Sequence, residues 1–323
     1  MQLTEDALQN LLANGFFEKA AAHCGSFLYS VKRDAADKIT SVQNFKFRQN
    51  SKKKREKEHK EEKKMEYKKG ISGSTLKIIA IITMLIDHIG AAVLGRLLVI
   101  QGINDIDVTS TTAVTQWLSS NQDLYMTYTV MRMIGRVSFP IFCFLLVEGF
   151  LHTHDVKKYA LRLGMFALIS EIPFDLAFSS KILEFQYQNV FFTLFIGLLT
   201  MIAFHALEEK TEWNHAVRVI CYALVLIAGM AAAYLLRTDY AEKGVLCIMV
   251  LYIFRKKKSW QILAGCASFF WETPALFAFL PIALYNGTRG MKMKYFFYIF
   301  YPAHLLVLYA ICCLMGTGSY PAI

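Results

Sequence analysis

From about residue 76 onward the chain is a series of long apolar runs, each interrupted by only a few charged residues. A hydrocarbon core of about 30 Å needs about 20 apolar residues per helix. Residues 76–100, 126–150, 159–178, 189–207, 217–236 and 295–315 reach that length. Only helices and closed barrels satisfy their backbone groups in lipid, so the pattern predicts an all-α, polytopic transmembrane helical bundle. Residues 260–286 are too few for two full crossings, yet basic stretches flank them on both sides. They are expected to form two short half-helices broken near Trp271-Glu272-Thr273-Pro274, and with a further crossing from residues 237–243 outside to Arg255-Lys256-Lys257-Lys258 inside the expectation is about nine membrane segments.

The first 70 residues break the pattern and set the domain boundaries. Residues 1–50 read as a weakly helical N-terminal extension, with Thr4-Glu5-Asp6 as a capping signal ahead of Ala7, Leu8, Leu11 and Leu12. Residues 51–70 read as a charged linker. Met65, followed by EYKKG and the first span, is a second candidate start, which would make residues 1–64 an extension dispensable to the body. The membrane domain covers 71–316, and 317–323 is a short C-terminal tail.

Composition agrees with a membrane body: 55% of the residues are hydrophobic. The net charge of +10 first suggests nucleic acid, but ten Lys and Arg fall within residues 52–69 and the rest cluster between apolar runs. That is the distribution of loops held on the positive side of a membrane, and it argues against a nucleic-acid partner. Lys68 and Lys69 precede the first span, whereas loop 101–125 contains Asp105, Asp107 and Asp123 and no Lys or Arg. The N-terminus is therefore expected to be cytoplasmic. The seven cysteines show no CxxC spacing, which leaves no sign of a disulfide framework or a zinc site.

Ionisable residues inside apolar runs are costly and mark function by default. Asp87 and His88 lie in LKIIAIITMLIDHIG. Lys77 is eleven residues before His88, on nearly the same helix face and ~16 Å away along the axis, while Asp87 turns to an adjacent face. In the second span Arg132 and Arg136 share a face, as do Glu148 and His152, with Pro140 expected to kink the helix between the pairs. The third span has Glu171 and Asp175 at the same spacing, and the last span has Tyr301 and His304. Packing alone would use Asp87-His88 as an interhelical hydrogen-bonding pair and the arginines as partners of Glu171 or Asp175. Charges from four helices at a similar depth point instead to a site. Glu148 and His152 have metal-ligand spacing but no third ligand, so no metal is expected.

The same stretches resemble the TraX family, membrane proteins associated with acetylation of conjugative pilin. The resemblance is carried by LKIIAIITMLIDHIG, IGRVSFPIFCFLLVEGFLHT, KKYALRLGMFALISEIPFDLAF, NVFFTLFIGLL, LYNGTRG and KYFFYIFYPAHLL, in order between about residues 72 and 314. That family is in turn similar to integral-membrane acyltransferases, whose first span has a basic residue, ten positions and then a histidine. Lys77 and His88 match that spacing, with Lys where Arg is usual.

The resemblance implies a multi-pass enzyme of the bacterial cytoplasmic membrane, with the lipid bilayer as its surroundings. It would move an acetyl or short acyl group from acetyl-CoA to a pilin amine or a surface-glycan hydroxyl. His88 is then the expected general base, since an imidazole titrates near neutrality, and Asp87 or Glu171 is expected to orient it. Arg132 and Arg136 are expected to stabilise the oxyanion or to hold an anionic acceptor. Lys77, Lys157, Lys158 and Arg162 are expected to attract the donor phosphates. Glu148, His152, Asp175, Tyr301 and His304 complete the expected substrate site. The same charges would also serve a proton-coupled transporter or flippase. A non-catalytic conjugation or pilus assembly factor is the third alternative.

Overall fold

The computed structural model describes residues 70–210, 212–291 and 294–322. The N-terminal extension, the candidate start at Met65 and all but the last residue of the charged linker lie outside the described residues. Helix α1 (Gly73–Ile89) starts at Ser72, whose hydroxyl accepts from the Thr75 amide. Such a cap is worth about 1 kcal/mol because it satisfies an orphan donor of the first turn. The 284–291 stretch clasps the same end: Ile71 N–H donates to Leu284 O at 2.9 Å, Gly73 N–H to Thr288 O at 2.8 Å, and Ser74 N–H to Arg289 O at 3.0 Å. A wide π-type turn at Gly90–Leu94 carries α1 into α2 (Gly95–Ile100), so that Gly73–Ile100 is one apolar helix of 28 residues.

Helix α3 (Thr111–Ser120) leads to α4 (Gln122–Gly135) and α5 (Ser138–His152). The expected kink is present but lies four residues before the proline. The ring of Pro140 would collide with the carbonyl four residues back, and the helix is interrupted there, at Arg136 and Val137. Pro140 then occupies the first turn of α5, where no amide is needed. Helix α6 (Val156–Ser179) is capped by Asp155 and runs through Pro173 without ending.

The chain continues with α7 (Val190–Glu208), α8 (His215–Leu235) and α9 (Ala241–Ile253). Next come α10 (Lys258–Ser268), a tight 3-10 turn at Thr273–Ala278, and the short α11 (Phe279–Ala283). Lys258 Nζ donates to the carbonyls of Ala283 and Tyr285, both at 2.6 Å, so this segment enters and returns to its starting level. Its break, at residues 269–272, lies where the Trp271–Pro274 sequence suggests one. The last helix is α12 (Lys294–Leu314).

Five helices among the described residues are long and apolar enough to cross a membrane: Gly73–Ile100, Gln122–His152, Val190–Glu208, His215–Leu235 and Phe296–Leu314. The other expected segments fall short of that standard for separate reasons. Helix α6 has the length but carries Lys157, Lys158, Arg162, Glu171 and Asp175. Helix α9 has 13 residues, spans only ~20 Å, and is enclosed by protein. Val245, Cys247, Ile248, Met249, Leu251 and Tyr252 of α9 are fully buried against α5, α7, α8 and α10. Lipid tails are as apolar as leucine, so close packing rather than escape from water holds such a centre together. A smaller cluster of Ile81, Met84, Phe174, Ala177, Tyr301 and Leu305 joins α1, α6 and α12.

One fully buried cation is structural. The Arg96 guanidinium donates to Ala92 O at 2.7 Å, Leu176 O at 3.2 Å and Ser180 Oγ at 3.0 Å, and its Nε donates to Tyr320 O at 2.8 Å. These carbonyls include the negative end of α6. Arg96 thereby ties α2, α6 and the C-terminal tail together without a carboxylate.

Candidate functional site

Three polar groupings surround the α1–α5–α12 region, and the first is a pair of imidazoles. His88 Nδ1 is 2.7 Å from His304 Nε2, and His304 Nδ1 is 2.7 Å from the Phe300 carbonyl. A carbonyl only accepts, so His304 Nδ1 holds a hydrogen. With both rings neutral, His304 Nε2 is bare and accepts from His88 Nδ1–H. His88 Nε2 is then left with a free lone pair. Phe178 and Tyr301 meet the His88 ring edge-on, at 5.4 and 5.9 Å between centroids. The sequence suggested Asp87 or Glu171 as the orienting group, but the partner is His304, because both carboxylates are engaged elsewhere.

The second grouping is ionic. Asp87 Oδ2 accepts from Arg132 Nη1 at 2.6 Å, and Arg136 Nε lies 3.1 Å from Glu272 Oε1 in the break after α10. Gly135 makes this approach possible: a Cβ there would fall 2.1 Å from the Asp87 Cβ. The arginines thus pair with Asp87 and Glu272, not with Glu171 or Asp175. Asp87 Oδ1 and Glu272 Oε2 are buried without a hydrogen-bond partner. The loop after α8 closes this end through three non-glycine residues in the left-handed region, Arg237 (φ 51°), Tyr240 (φ 64°) and Ala241 (φ 42°). It places the Tyr240 ring flat on Phe139, 3.6 Å away, and the Asp239 carboxylate against the Tyr187 hydroxyl at 2.5 Å. Burial pushes the Asp239 carboxyl up to about 6, against the opposing pull of the Tyr187 hydrogen bond and the Arg136 charge.

The third grouping is a cavity of about 590 Å³ lined by residues of α1, α5, α6, α7, α12 and the 284–291 stretch. Its polar lining includes Lys77, Glu148, His152, Arg162 and Arg289, and its apolar part includes Met84, Phe142, Phe191 and Tyr301. Lys77 Nζ lies over the Phe297 ring at 5.1 Å. Lys77, Arg162 and Arg289 form no ion pair with a described carboxylate, and Arg162 Nε is buried without a hydrogen-bond partner. Converging unpaired cations make this cavity suited to an anion. Tyr301 joins the groupings, since it lines the cavity and its ring edge meets His88.

The sequence-derived candidates are therefore distributed among separate places. Lys77, Arg162, Glu148, His152 and Tyr301 share the cavity, and His88 and His304 lie behind Tyr301. Lys157 and Lys158 are exposed outside the cavity, with Lys158 bonded to Asp155 at 3.0 Å. Glu171 accepts from the Asn189 backbone and side-chain amides at the start of α7. Asp175 accepts from the Glu184 amide at 2.8 Å and anchors the α6–α7 connection. No group of three possible metal ligands assembles among the described residues. Sequence reading overlooked Arg96, Asp239, Tyr240, Glu272 and Arg289 as site or framework residues. Arg96 and Glu272 could have been found by the rule that singled out Asp87, since each is a charge in an apolar run.

These features define a helical membrane bundle with paired intramembrane charges and an internal cation-lined cavity. The chain belongs to the TraX family: the family model, described as TraX protein, matches residues 72–312. It is also similar to a protein of Dichelobacter nodosus named "Probable fimbrial assembly protein FimC, serogroup H1". The two are 26% identical over 267 residues, covering 73% of this chain and 94% of the relative. No solved structure matches the chain.

Proposed function

We propose that this chain is an integral-membrane acyltransferase of pilus assembly, moving an acetyl or other short acyl group from acyl-CoA to an amine or hydroxyl of a pilin-like or cell-surface acceptor. The observation that carries the reading is the placement of the His88–His304 pair directly behind Tyr301, at the wall of a cavity lined by unpaired Lys77, Arg162 and Arg289. A free imidazole lone pair next to an anion-receiving cavity is what thioester transfer requires. Family membership and the fimbrial name of the relative support the pilus context.

In this reading the N-terminus is cytoplasmic, so the Gly73 end of the bundle faces the compartment that supplies acyl-CoA. The donor phosphates lie against Lys77, Arg162 and Arg289, and the thioester reaches toward Tyr301. His88 Nε2 takes the proton of the acceptor as its nitrogen or oxygen attacks the thioester carbonyl. The new acyl bond forms, the carbon–sulfur bond breaks, and the imidazolium returns the proton to the departing thiolate. His304 holds the tautomer that makes this possible. Arg132 and Arg136, held by Asp87 and Glu272, keep the role of stabilising the oxyanion in this reading.

A transporter reading is favoured by one observation, the Arg136–Glu272 pair in a broken helix, since such breaks border ion and substrate paths. One experiment separates the two. Purified full-length protein in proteoliposomes receives radiolabelled acetyl-CoA and candidate amine or hydroxyl acceptors, with His88→Ala alongside. Labelled acceptor from the wild type and its loss in the variant is expected. Label crossing the membrane with no acylated product would overturn the transferase reading.

A further inference from the structure

Four consecutive cations, Arg255-Lys256-Lys257-Lys258, join α9 to α10. The outer two are committed within the protein. Arg255 Nη2 donates to both Glu208 carboxylate oxygens, at 3.0 and 2.6 Å, and Lys258 Nζ is held by the Ala283 and Tyr285 carbonyls. The inner two, Lys256 and Lys257, are exposed and pair with no described carboxylate. They border a recess of about 320 Å³ whose other walls are Ile253, Phe254 and Trp260. Those three side chains are 41%, 39% and 52% exposed, so an aliphatic and aromatic surface stands open beside two free ammonium groups.

The combination selects among anions. A solvated phosphate would be drawn by the lysines but would leave the apolar walls uncovered. An anionic lipid satisfies both halves, because its phosphate meets the lysines while its glycerol and upper chain cover the apolar walls. Tryptophan and lysine both favour the headgroup level of a bilayer, and basic recesses between membrane helices receive anionic headgroups.

We infer that this recess binds an anionic phospholipid, with the phosphate between Lys256 and Lys257 and the upper acyl chain against Ile253, Phe254 and Trp260. The site is separate from acyl transfer, since none of its residues lines the 590 Å³ cavity.

The test uses the full chain in phosphatidylcholine vesicles doped with brominated phosphatidylglycerol or brominated phosphatidylcholine, read by quenching of tryptophan fluorescence. Phosphatidylglycerol is expected to quench selectively, and Trp260→Phe is expected to remove that selective component. The double substitution Lys256→Gln/Lys257→Gln is expected to lower the preference for phosphatidylglycerol roughly tenfold or more. Lys181→Gln, which removes an exposed cation paired with Glu184, is expected to leave it unchanged. Equal quenching by the two lipids, or full preference retained in the double variant, overturns the inference. So does loss of the preference on adding inorganic phosphate, which would make the recess a site for a soluble anion.

Discussion

His88 and His304, 216 positions apart, share a hydrogen bond of 2.7 Å with their rings nearly parallel, 4° apart. The bond that His304 makes to the Phe300 carbonyl fixes the direction of both hydrogen bonds and leaves His88 Nε2 without a hydrogen. His88→Ala is expected to cost about 10²–10⁴-fold in acyl transfer, the usual worth of a positioned general base. His304→Leu removes the acceptor that selects the tautomer, and a loss of roughly a hundredfold or more is expected. His304→Gln retains an acceptor for His88 Nδ1–H and should recover part of that loss, with a changed pH–rate profile. Equal activity in the Leu and Gln variants would refute the positioning role.

The Asp87–Arg132 pair is only partly shielded, with side chains 15% and 24% exposed, so solvent screens some of its attraction. Removing one partner leaves a charge largely out of water. Asp87→Leu or Arg132→Leu alone is expected to cost about 1–3 kcal/mol of stability. The double replacement should cost less than the sum, because neither charge is then stranded. Thermal unfolding of the four proteins in detergent gives the coupling directly, and strict additivity would sink the claim. Gly135→Ala offers a steric check at the same place. Its Cβ would collide with Asp87, and a loss of about 1–3 kcal/mol is expected from the overpacking.

How much of this was legible in the sequence depends on range. Apolar run lengths marked the long helices, because that signal is local and repeated along each span. The alternation of charged loops also makes α9 a crossing, and its 13 residues, enclosed by protein, fall short of the length that a span needs. Helical spacing put Lys77 and His88 on one face of α1; in the fold Lys77 lines the cavity together with Tyr301, and the Tyr301 ring meets His88. Partner choice was not legible. Asp87 selects Arg132 and not His88 because Gly135 lets α4 approach α1, a fact about two helices that neither sequence contains alone. Glu171 is likewise used by Asn189 at the start of α7, a contact decided by how the 180–188 loop returns. Glu272 was visible as a helix break, but its role as the partner of Arg136 required the entering and returning path of α10 and α11.

The unpaired cations of the cavity make a prediction that divides binding from chemistry. Arg162→Gln and Arg289→Gln are each expected to raise KM for the acyl donor several-fold with kcat little changed, as loss of uniform binding does. Lys157→Gln and Lys158→Gln, outside the cavity, should leave both constants near wild type. Steady-state kinetics over a range of donor concentrations will show this. A fall in kcat with constant KM in the arginine variants would move those residues from donor binding to the reacting centre.

Asp239 gives the fold a pH dependence of definite sign. Its folded pKa, about 6, is above the ordinary carboxylate value of 3.8, so the folded protein favours the protonated form. The native state then binds more protons than the unfolded state between those two values, and stability falls as pH rises through that window. Below about 3 the group is protonated in both states, and above about 7 it is ionised in both, so its contribution is flat on either side. Asp239→Asn keeps an acceptor for the Tyr187 hydroxyl but removes the titration. Wild-type protein is expected to show a falling thermal midpoint from pH 4.5 to pH 7, about the window set by the cited shift, and the variant a shallower fall. The variant should also match or exceed the wild type at pH 7.5, where the buried charge is fully present. Parallel melting curves for the two proteins across that range would mean that Asp239 is solvated in the folded state.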